Sequence, residues 1–219
     1  MQRCAHCRAN AAIEVRILDI TFDRKRLRLR QERAQFARAN PEALQRHSGA
    51  VFDADAGLFA AQIFGKKVRV TWPEGEVSCP GGEFVAGDEF SALLLGYLMR
   101  GRCVARTGSF LTYAELWGQS GAAALRCQSA QRLAHGFAQT PENFARACTA
   151  LGGMPLPMAD YAFEIPFLEA LRVQLLLWEG GDTFRPAAEI LFSDNFPLAF
   201  EAEDAPLVCS VLLRALEQA

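Results

Sequence analysis

The residues whose types and spacing first suggest chemistry are Cys4 and Cys7, which lie two residues apart around His6. Two thiols at this spacing supply two corners of a tetrahedral metal site from one tight turn. A structural zinc ion or an iron–sulfur cluster needs four ligands, and the chain contains no second closely spaced cysteine pair. Cys4, Cys7 and His6 are therefore candidate ligands for zinc or an iron–sulfur cluster. The alternative is an N-terminal segment that binds no metal.

Three carboxylates form a second candidate site. Glu179 and Asp182 flank a Gly-Gly turn, and Asp194 lies at the far end of the strand predicted to return from that turn. Paired carboxylates divide the roles of general acid and general base when their environments separate their pKa values. The competing explanation is structural, because glycine, aspartate and glutamate are typical of hairpin turns.

Composition limits what kind of protein carries these residues. Hydrophobic residues make up 51% of the 219-residue chain and charged residues 22%, which favours a folded protein with a substantial core over a disordered one. The odd number of cysteines, seven, and their isolation within apolar helical patterns favour reduced thiols. No secretory segment follows Met1, and no apolar run approaches the roughly 20 residues that span a bilayer. We expect a cytoplasmic protein with no membrane partner.

Charge is distributed unevenly along the chain. The formal net charge is −2, yet residues 1–50 hold 11 basic and 5 acidic side chains, and arginine outnumbers lysine 20 to 3. An arginine-rich surface can bind phosphate, but a run of charge is more often the solvated face of a helix. We therefore rank a nucleic-acid partner last, behind a small molecule or a partner protein.

Hydrophobic periodicity defines the predicted strands. Alternating or β-branched runs bounded by turn residues predict strands at 13–22, 51–53, 57–64 and 67–72, and further strands ending near 178 and 192. The strands at 51–53, 57–64 and 67–72 are predicted to form a meander. Pro186 predicts that the last strand lies at a sheet edge or begins after the proline.

Capping residues and apolar stripes define the predicted helices. We expect helices over about 24–39, from Pro41 behind an Asn40 cap, over 89–100 behind an Asp88 cap and before a Gly101 stop, over 122–137, after Thr140, and in the C-terminal segment. Thr112 and Glu115 form a capping-box pattern. Because strands and helices occur in separate runs, the sequence predicts an α+β fold: one domain at 30–219 with a mostly antiparallel sheet of short strands, behind an N-terminal extension at 1–29.

Four ordered segments carry a family resemblance. They are PEALQRHSGAVFDADAGLFAAQIFGKKVRVTWPEGEV, EFSALLLGYLMRG, LLLWEGGDTFRPAAEILFSDN and the EAEDA segment. Over about residues 30–217 the chain resembles the bacterial and archaeal family known as domain of unknown function 3786, which is common in anaerobes. The resemblance implies a single domain and assigns no activity. Some relatives carry an iron–sulfur module of clustered cysteines ahead of this domain, and here only Cys4 and Cys7 stand in that place.

Three functions remain open from the sequence. The first is a non-catalytic cytoplasmic domain of anaerobic metabolism that binds a small ligand, a cofactor or a partner protein. This hypothesis rests on well-formed helix caps and stripes without a convergent cluster of ionisable residues. The second is a metal or iron–sulfur protein that uses Cys4 and Cys7. The third is an enzyme with a pocket lined by Glu179, Asp182 and Asp194.

Overall fold

The computed structural model of the protein describes residues 26–81, 87–181 and 183–219. The predicted strand at 13–22, the rest of the extension up to residue 25, and Asp182 lie outside the described residues. Within those ranges the strands divide between two antiparallel sheets, and helices pack against both. The predicted α+β class with antiparallel strands is therefore confirmed.

The first sheet is a four-stranded meander in chain order. Its strands are β1 (Val51–Asp53), β2 (Leu58–Ile63), β3 (Lys66–Thr71) and β4 (Val77–Ser78). The three predicted strands are confirmed, and β4 adds a short edge. In β2 the side chains of Phe59, Ala61 and Ile63 are buried while those of Ala60 and Gln62 are exposed. This alternation buries one face of the sheet and leaves the other in solvent.

The second sheet has five strands. They are β5 (Phe110–Leu111), β6 (Met154–Pro155), β7 (Tyr161–Pro166), β8 (Arg172–Trp178) and β9 (Ala187–Ser193), in the spatial order β5-β9-β8-β7-β6. The strand predicted to end near Trp178 does end there, but the segment from 162 to 178 is not one strand, because a turn at 167–171 divides it into the β7–β8 hairpin. The strand after Pro186 begins at Ala187, as predicted.

Helices connect and cover the sheets. They are α1 (26–36), α2 (Pro41–Ser48), α3 (Asp88–Arg100), α4 (Tyr113–Trp117), α5 (Ala122–Leu125), α6 (Gln131–Phe137), α7 (Pro141–Ala150) and α8 (Ala205–Gln218). The predicted Asn40 cap is confirmed, since its Oδ1 accepts from the N–H of Glu42 at 2.9 Å. The predicted Asp88 cap is wrong. Gly87 is the N-cap, and Asp88 lies in the first turn, where its charge still favours the helix dipole. Thr140 likewise forms no side-chain cap.

The predicted helix at 122–137 is interrupted. Between α5 and α6 the residues Arg126–Ala130 form a π-helical segment, in which each N–H bonds five residues back and one extra residue enters the turn. No sequence signal marks this change, because all the residues of the segment are compatible with an α-helix. The segment packs against β9.

The core fills the space between helices and sheets. On α3 the apolar stripe of Phe90, Leu93, Leu94, Tyr97 and Leu98 is buried along its whole length. The second sheet is closed by an aromatic cluster, which we define as Trp117, Phe167, Phe192, Phe196 and Phe200. Burial of these large apolar side chains supplies most of the stabilisation of the fold.

The two sheets are joined directly through their hairpin turns. The N–H of Phe64, in the β2–β3 turn, donates to the carbonyl of Phe167 at 3.0 Å, and the N–H of Glu169 donates to the carbonyl of Gln62 at 3.0 Å. The Glu169 carboxylate also accepts from the N–H of Gln62 at 2.8 Å. Backbone bonds across the junction make the two sheets parts of one domain. Among the helices of the described ranges, none combines the length and apolarity that a bilayer crossing requires.

Candidate ligand-binding cleft

A cleft of about 810 Å³ opens beside the second sheet. Its walls are the outer side of β9, the helical run of α5, the π-helical segment and α6, and the segment that carries α4. A cleft of this volume is large enough for a small molecule or a short peptide.

The cleft exists because β5 is short. Phe110 and Leu111 pair with Ser193 and Phe192, and the chain then turns away into α4. The turn is fixed by the predicted capping box: the Thr112 hydroxyl accepts from the N–H of Glu115 at 3.4 Å, and the Glu115 carboxylate accepts from the N–H of Thr112 at 2.7 Å. Among the described residues, the rest of β9, from 187 to 191, has no strand on this side.

Two arginines give the cleft its charge. Arg126, the first residue of the π-helical segment, and Arg185, just before β9, both line the cleft and are exposed. Neither forms a salt bridge with any residue in the described part of the chain. Glu189 is the one carboxylate among the described lining residues, and His135 adds an imidazole. Two guanidinium groups without a salt bridge to a described residue, against one described carboxylate, favour an anionic ligand.

The floor of the cleft is apolar. Ile190, Phe192, Ala130 and Ala134 line it and are buried, with 8% of Ile190 exposed. An apolar floor with a few charged groups at its margin is the usual composition of a ligand-binding site. The cleft therefore suits a ligand that has both an apolar part and a negative charge.

Two residues of the cleft that could act as nucleophile and base, Cys127 and His135, do not form a pair. Cys127 and His135 both line the cleft, but they are eight residues apart along the helical run, about 12 Å at the usual rise per residue. The Cys127 thiol donates instead to Oε1 of Gln131, with Sγ and Oε1 3.3 Å apart. Cys209 is buried at the back of the cleft, and burial raises the pKa of its thiol to about 12, so it remains protonated and inert.

Glu179 and Asp194, the two predicted carboxylates that the structure describes, lie apart from each other and do not line the cleft. Glu179 is exposed after β8, where its N–H donates to Oδ2 of Asp160 at 3.0 Å. Asp194 is half-buried after β9, and both its carboxylate oxygens accept from the N–H of Thr107 at 3.1 Å. Asp182 lies outside the described residues.

The strand register separates Glu179 from Asp194. Trp178 pairs with Ala187 and Val173 pairs with Phe192, so the two carboxylates lie at opposite ends of the β8–β9 hairpin. At the usual rise along a strand, their backbones are about 25 Å apart. Glu179 and Asp194 therefore do not form one acid–base pair. Asp194 instead anchors the irregular segment at 102–109 to the end of β9.

The predicted metal ligands Cys4, His6 and Cys7 fall in the N-terminal residues that the structure leaves undescribed. Within 26–81, 87–181 and 183–219, no group of three or more histidine, cysteine, aspartate or glutamate side chains is arranged to hold a metal ion.

Sequence reasoning did not select Arg126 or Arg185. They are 59 positions apart in the sequence, and neither belongs to a motif. The sequence carries one signal for Arg126, the lack of a nearby carboxylate that could pair with it. No acidic residue occurs between Trp117 and Thr140, the stretch that contains Arg126. That observation marks an uncompensated positive charge on a helix but does not place a cleft beside it.

The fold and the cleft together define an α+β domain with a basic, apolar-floored site. The model of the family described as domain of unknown function (DUF3786) matches residues 40–215, and the chain belongs to this family. The family resemblance seen in the sequence is thus confirmed. Searches of curated proteins and of solved structures gave no match to the chain.

Proposed function

We propose that this chain is a non-catalytic binding domain whose ligand is an anion with an apolar part, held in the cleft beside β9. The observation that carries the proposal is the pair Arg126 and Arg185, which line the cleft without a salt-bridge partner in the described residues. Elsewhere in the described chain, Arg28, Arg100, Arg106, Arg132 and Arg214 each pair with a carboxylate. A guanidinium group left without such a partner is available to bind a carboxylate or phosphate in two-point contact.

The π-helical segment supports the proposal. π-bulges are rare and frequently occur at functional sites, because the irregular turn costs stability that a regular helix would not lose. Here the segment begins with Arg126 and lies against β9, so the irregular turn coincides with the cleft wall. We further propose that the domain acts in the cytoplasm and, from the resemblance to a family common in anaerobes, in anaerobic metabolism.

Titration with simple anions tests the proposal. Benzoate, which combines a carboxylate with an apolar ring, and inorganic pyrophosphate would be added to the isotope-labelled full chain while backbone amide signals are recorded. We expect saturable shifts at 126 and 185. Arg126→Gln and Arg185→Gln should each weaken binding by about tenfold or more, because a charge-assisted hydrogen bond is lost.

The matched control is Arg38→Gln. Arg38 is also exposed and has no salt bridge in the described residues, but it does not line the cleft. Its replacement should leave the affinity for benzoate unchanged. Absence of saturable binding, or an equal loss in the Arg38 variant, would refute the proposed anion site.

A metal site in the N-terminal extension is a second, separate proposal. Cys4, His6 and Cys7 supply part of a zinc or iron–sulfur site, and a second subunit that donates an identical pair would complete four ligands. Elemental analysis and an absorption spectrum of anaerobically purified protein test it. A colourless sample without zinc or iron would eliminate this site and leave the cleft unaffected.

A further inference from the structure

Among the residues that the structure describes, β9 has an unpaired edge that lies in the cleft. β5 pairs with β9 only through Leu111 and Phe192 and through Phe110 and Ser193, so the row that β5 begins is not continued along the rest of β9. The cleft lies beside Ala187–Ile190, at the position that a neighbouring strand would occupy, and these residues line it. The edge is recessed between helices rather than exposed on an open sheet margin.

Hydrogen-bond alternation fixes which backbone groups face the cleft. The N–H of Asp194 donates to the carbonyl of Ser109 at 3.2 Å, toward the β5 side. In an antiparallel strand every second residue directs its N–H and C=O to the same side, so those of Phe192, Ile190 and Ala188 also face that side. Phe192 pairs with β5, whereas the cleft-side groups of Ile190 and Ala188 have no hydrogen-bond partner in the described residues. Backbone groups in a largely buried position require such partners.

We infer that the ligand is an extended peptide segment with a free carboxyl terminus, which pairs as an added strand with Ala188–Ile190. This inference rests on the proposed anion site and names the class of ligand that it takes. Addition of a strand to a recessed sheet edge beside a helix is a general mode of peptide recognition, in which main-chain hydrogen bonds give the affinity.

The direction of the ligand follows from the row that it continues. β5 runs antiparallel to β9, so a segment that extends the β5 row ends at the start of β9. Arg185 lies at that end, two residues before Ala187. A carboxyl terminus there meets a guanidinium group, whereas a parallel ligand would bring its positive amino terminus to the same place. From Ile190 to Ala187 the edge accommodates about four residues, or about 13 Å of strand.

Cross-strand neighbours predict the ligand sequence. Residues opposite Ile190 and Ala188 share their face of the sheet, which is the apolar side of the cleft, so apolar side chains are favoured there. The residue opposite Glu189 points to the other face, where the carboxylate favours a basic side chain. The matching ligand therefore has an apolar-basic-apolar pattern followed by one residue and the free carboxylate.

A designed probe with this pattern tests the inference. The peptide Thr-Val-Lys-Val-Ala with a free carboxyl terminus and an N-terminal fluorophore would be titrated with the full chain, and binding would be followed by fluorescence anisotropy. N-methylation of both valines removes the N–H groups that face β9, while N-methylation of the lysine removes one that faces away. We expect saturable binding that weakens by about tenfold or more when the valines are methylated, or when the terminus is an amide. The lysine-methylated peptide should bind as the parent does.

A protein variant provides the reciprocal test. Ala188→Pro removes the N–H that faces the cleft, and proline is tolerated at a strand edge on its open side. This variant should bind the peptide at least about tenfold more weakly than the parent chain does. Circular dichroism would establish that it is folded, and if it is not, the methylated peptides still decide the question.

The outcomes separate this inference from the proposed function. If benzoate binds but the peptide does not, or if valine methylation has no effect, the ligand is a small molecule and the peptide inference is overturned. If neither benzoate nor pyrophosphate nor the peptide binds, both proposals fail. If the chain is a dimer that Ala188→Pro dissociates, a second copy occupies the edge and the peptide inference is again overturned.

Discussion

Replacement of Phe196 by alanine tests the aromatic cluster on the second sheet. Phe196 is completely buried, and its ring lies 5.1 Å from that of Phe192, 5.9 Å from that of Phe167 and 6.0 Å from that of Phe200, between ring centroids. No other ring of the cluster has as many such neighbours within it, so the cavity left by truncation has no single neighbour able to fill it.

The expected magnitude follows from this packing. Truncation of a buried phenylalanine to alanine costs about 3–5 kcal/mol in free energy of unfolding, and well-packed sites fall in the middle or upper part of that range. We expect about 4 kcal/mol for Phe196→Ala. Phe196→Leu keeps most of the volume and loses the ring contacts, so it should cost about 1–2 kcal/mol.

Urea unfolding measured by circular dichroism gives both values. The midpoint should fall while the slope of free energy against urea stays the same, because the surface exposed on unfolding hardly changes. For a chain of this length the alanine variant should also lower Tm by about 8–16 °C. Phe184→Ala is the matched control: 64% of Phe184 is exposed, and its loss should cost less than about 0.5 kcal/mol. A cost below about 1 kcal/mol for Phe196→Ala would refute the assigned packing.

Three further predictions concern the junction, a turn and the thiols. Burial raises the pKa of Glu169, so its contribution to stability is present below the unfolded pKa and is lost as pH rises through the folded pKa. In chemical denaturation, Glu169→Gln should therefore gain stability relative to the parent chain as pH rises above about 4, the usual pKa of a glutamate. Gly49 has a φ of +78°, and an added Cβ would lie 2.7 Å from Sγ of Cys103. Gly49→Ala should therefore lower the free energy of unfolding by about 2 kcal/mol or more, and an unchanged melting curve would contradict this prediction. In the native chain Cys127 should react with a thiol reagent at neutral pH while Cys209 reacts only after unfolding, which mass spectrometry of labelled peptides would check.

The first sheet and the main helices could be predicted because local pattern decides them. In α3 the apolar stripe and its terminating Gly101 occur within one segment, and no distant contact is needed to interpret them. The β2–β3 pair is equally local, with strict alternation and a Gly65 turn. Such segments have one stable arrangement, since periodicity, turn chemistry and burial all agree.

The β7–β8 hairpin was missed because its turn contains no conventional turn residue. The turn at 167–171 is FLEAL, which continues an apolar run, and its left-handed position is filled by Glu169 rather than by glycine or asparagine. The contacts with the β2–β3 turn stabilise this conformation from outside the segment. Local sequence cannot indicate a turn whose stabilising partners lie about a hundred residues away.

The cleft was missed for a related reason. The charge of the cleft comes from Arg126 and Arg185, its strand edge includes Ile190, and its floor includes Ala134. Only the packing of the helical run on β9 brings these residues together. The carboxylates predicted from the sequence flank one turn or end the strand that follows it, and glycine and acidic residues at a turn already have a structural explanation. The register then placed Glu179 and Asp194 at opposite ends of one hairpin.

The bond between Phe64 and Phe167 determines where the chain tolerates an insertion. A β-hairpin tip is normally a safe place for a tag or a fused domain. The β2–β3 tip has no such freedom, since added residues there would break the backbone bonds that hold it against the β7–β8 turn. Asp55, in the β1–β2 turn, is exposed and its N–H donates to Oδ1 of Asp53 in the same turn, so a reporter fused there should leave both sheets intact.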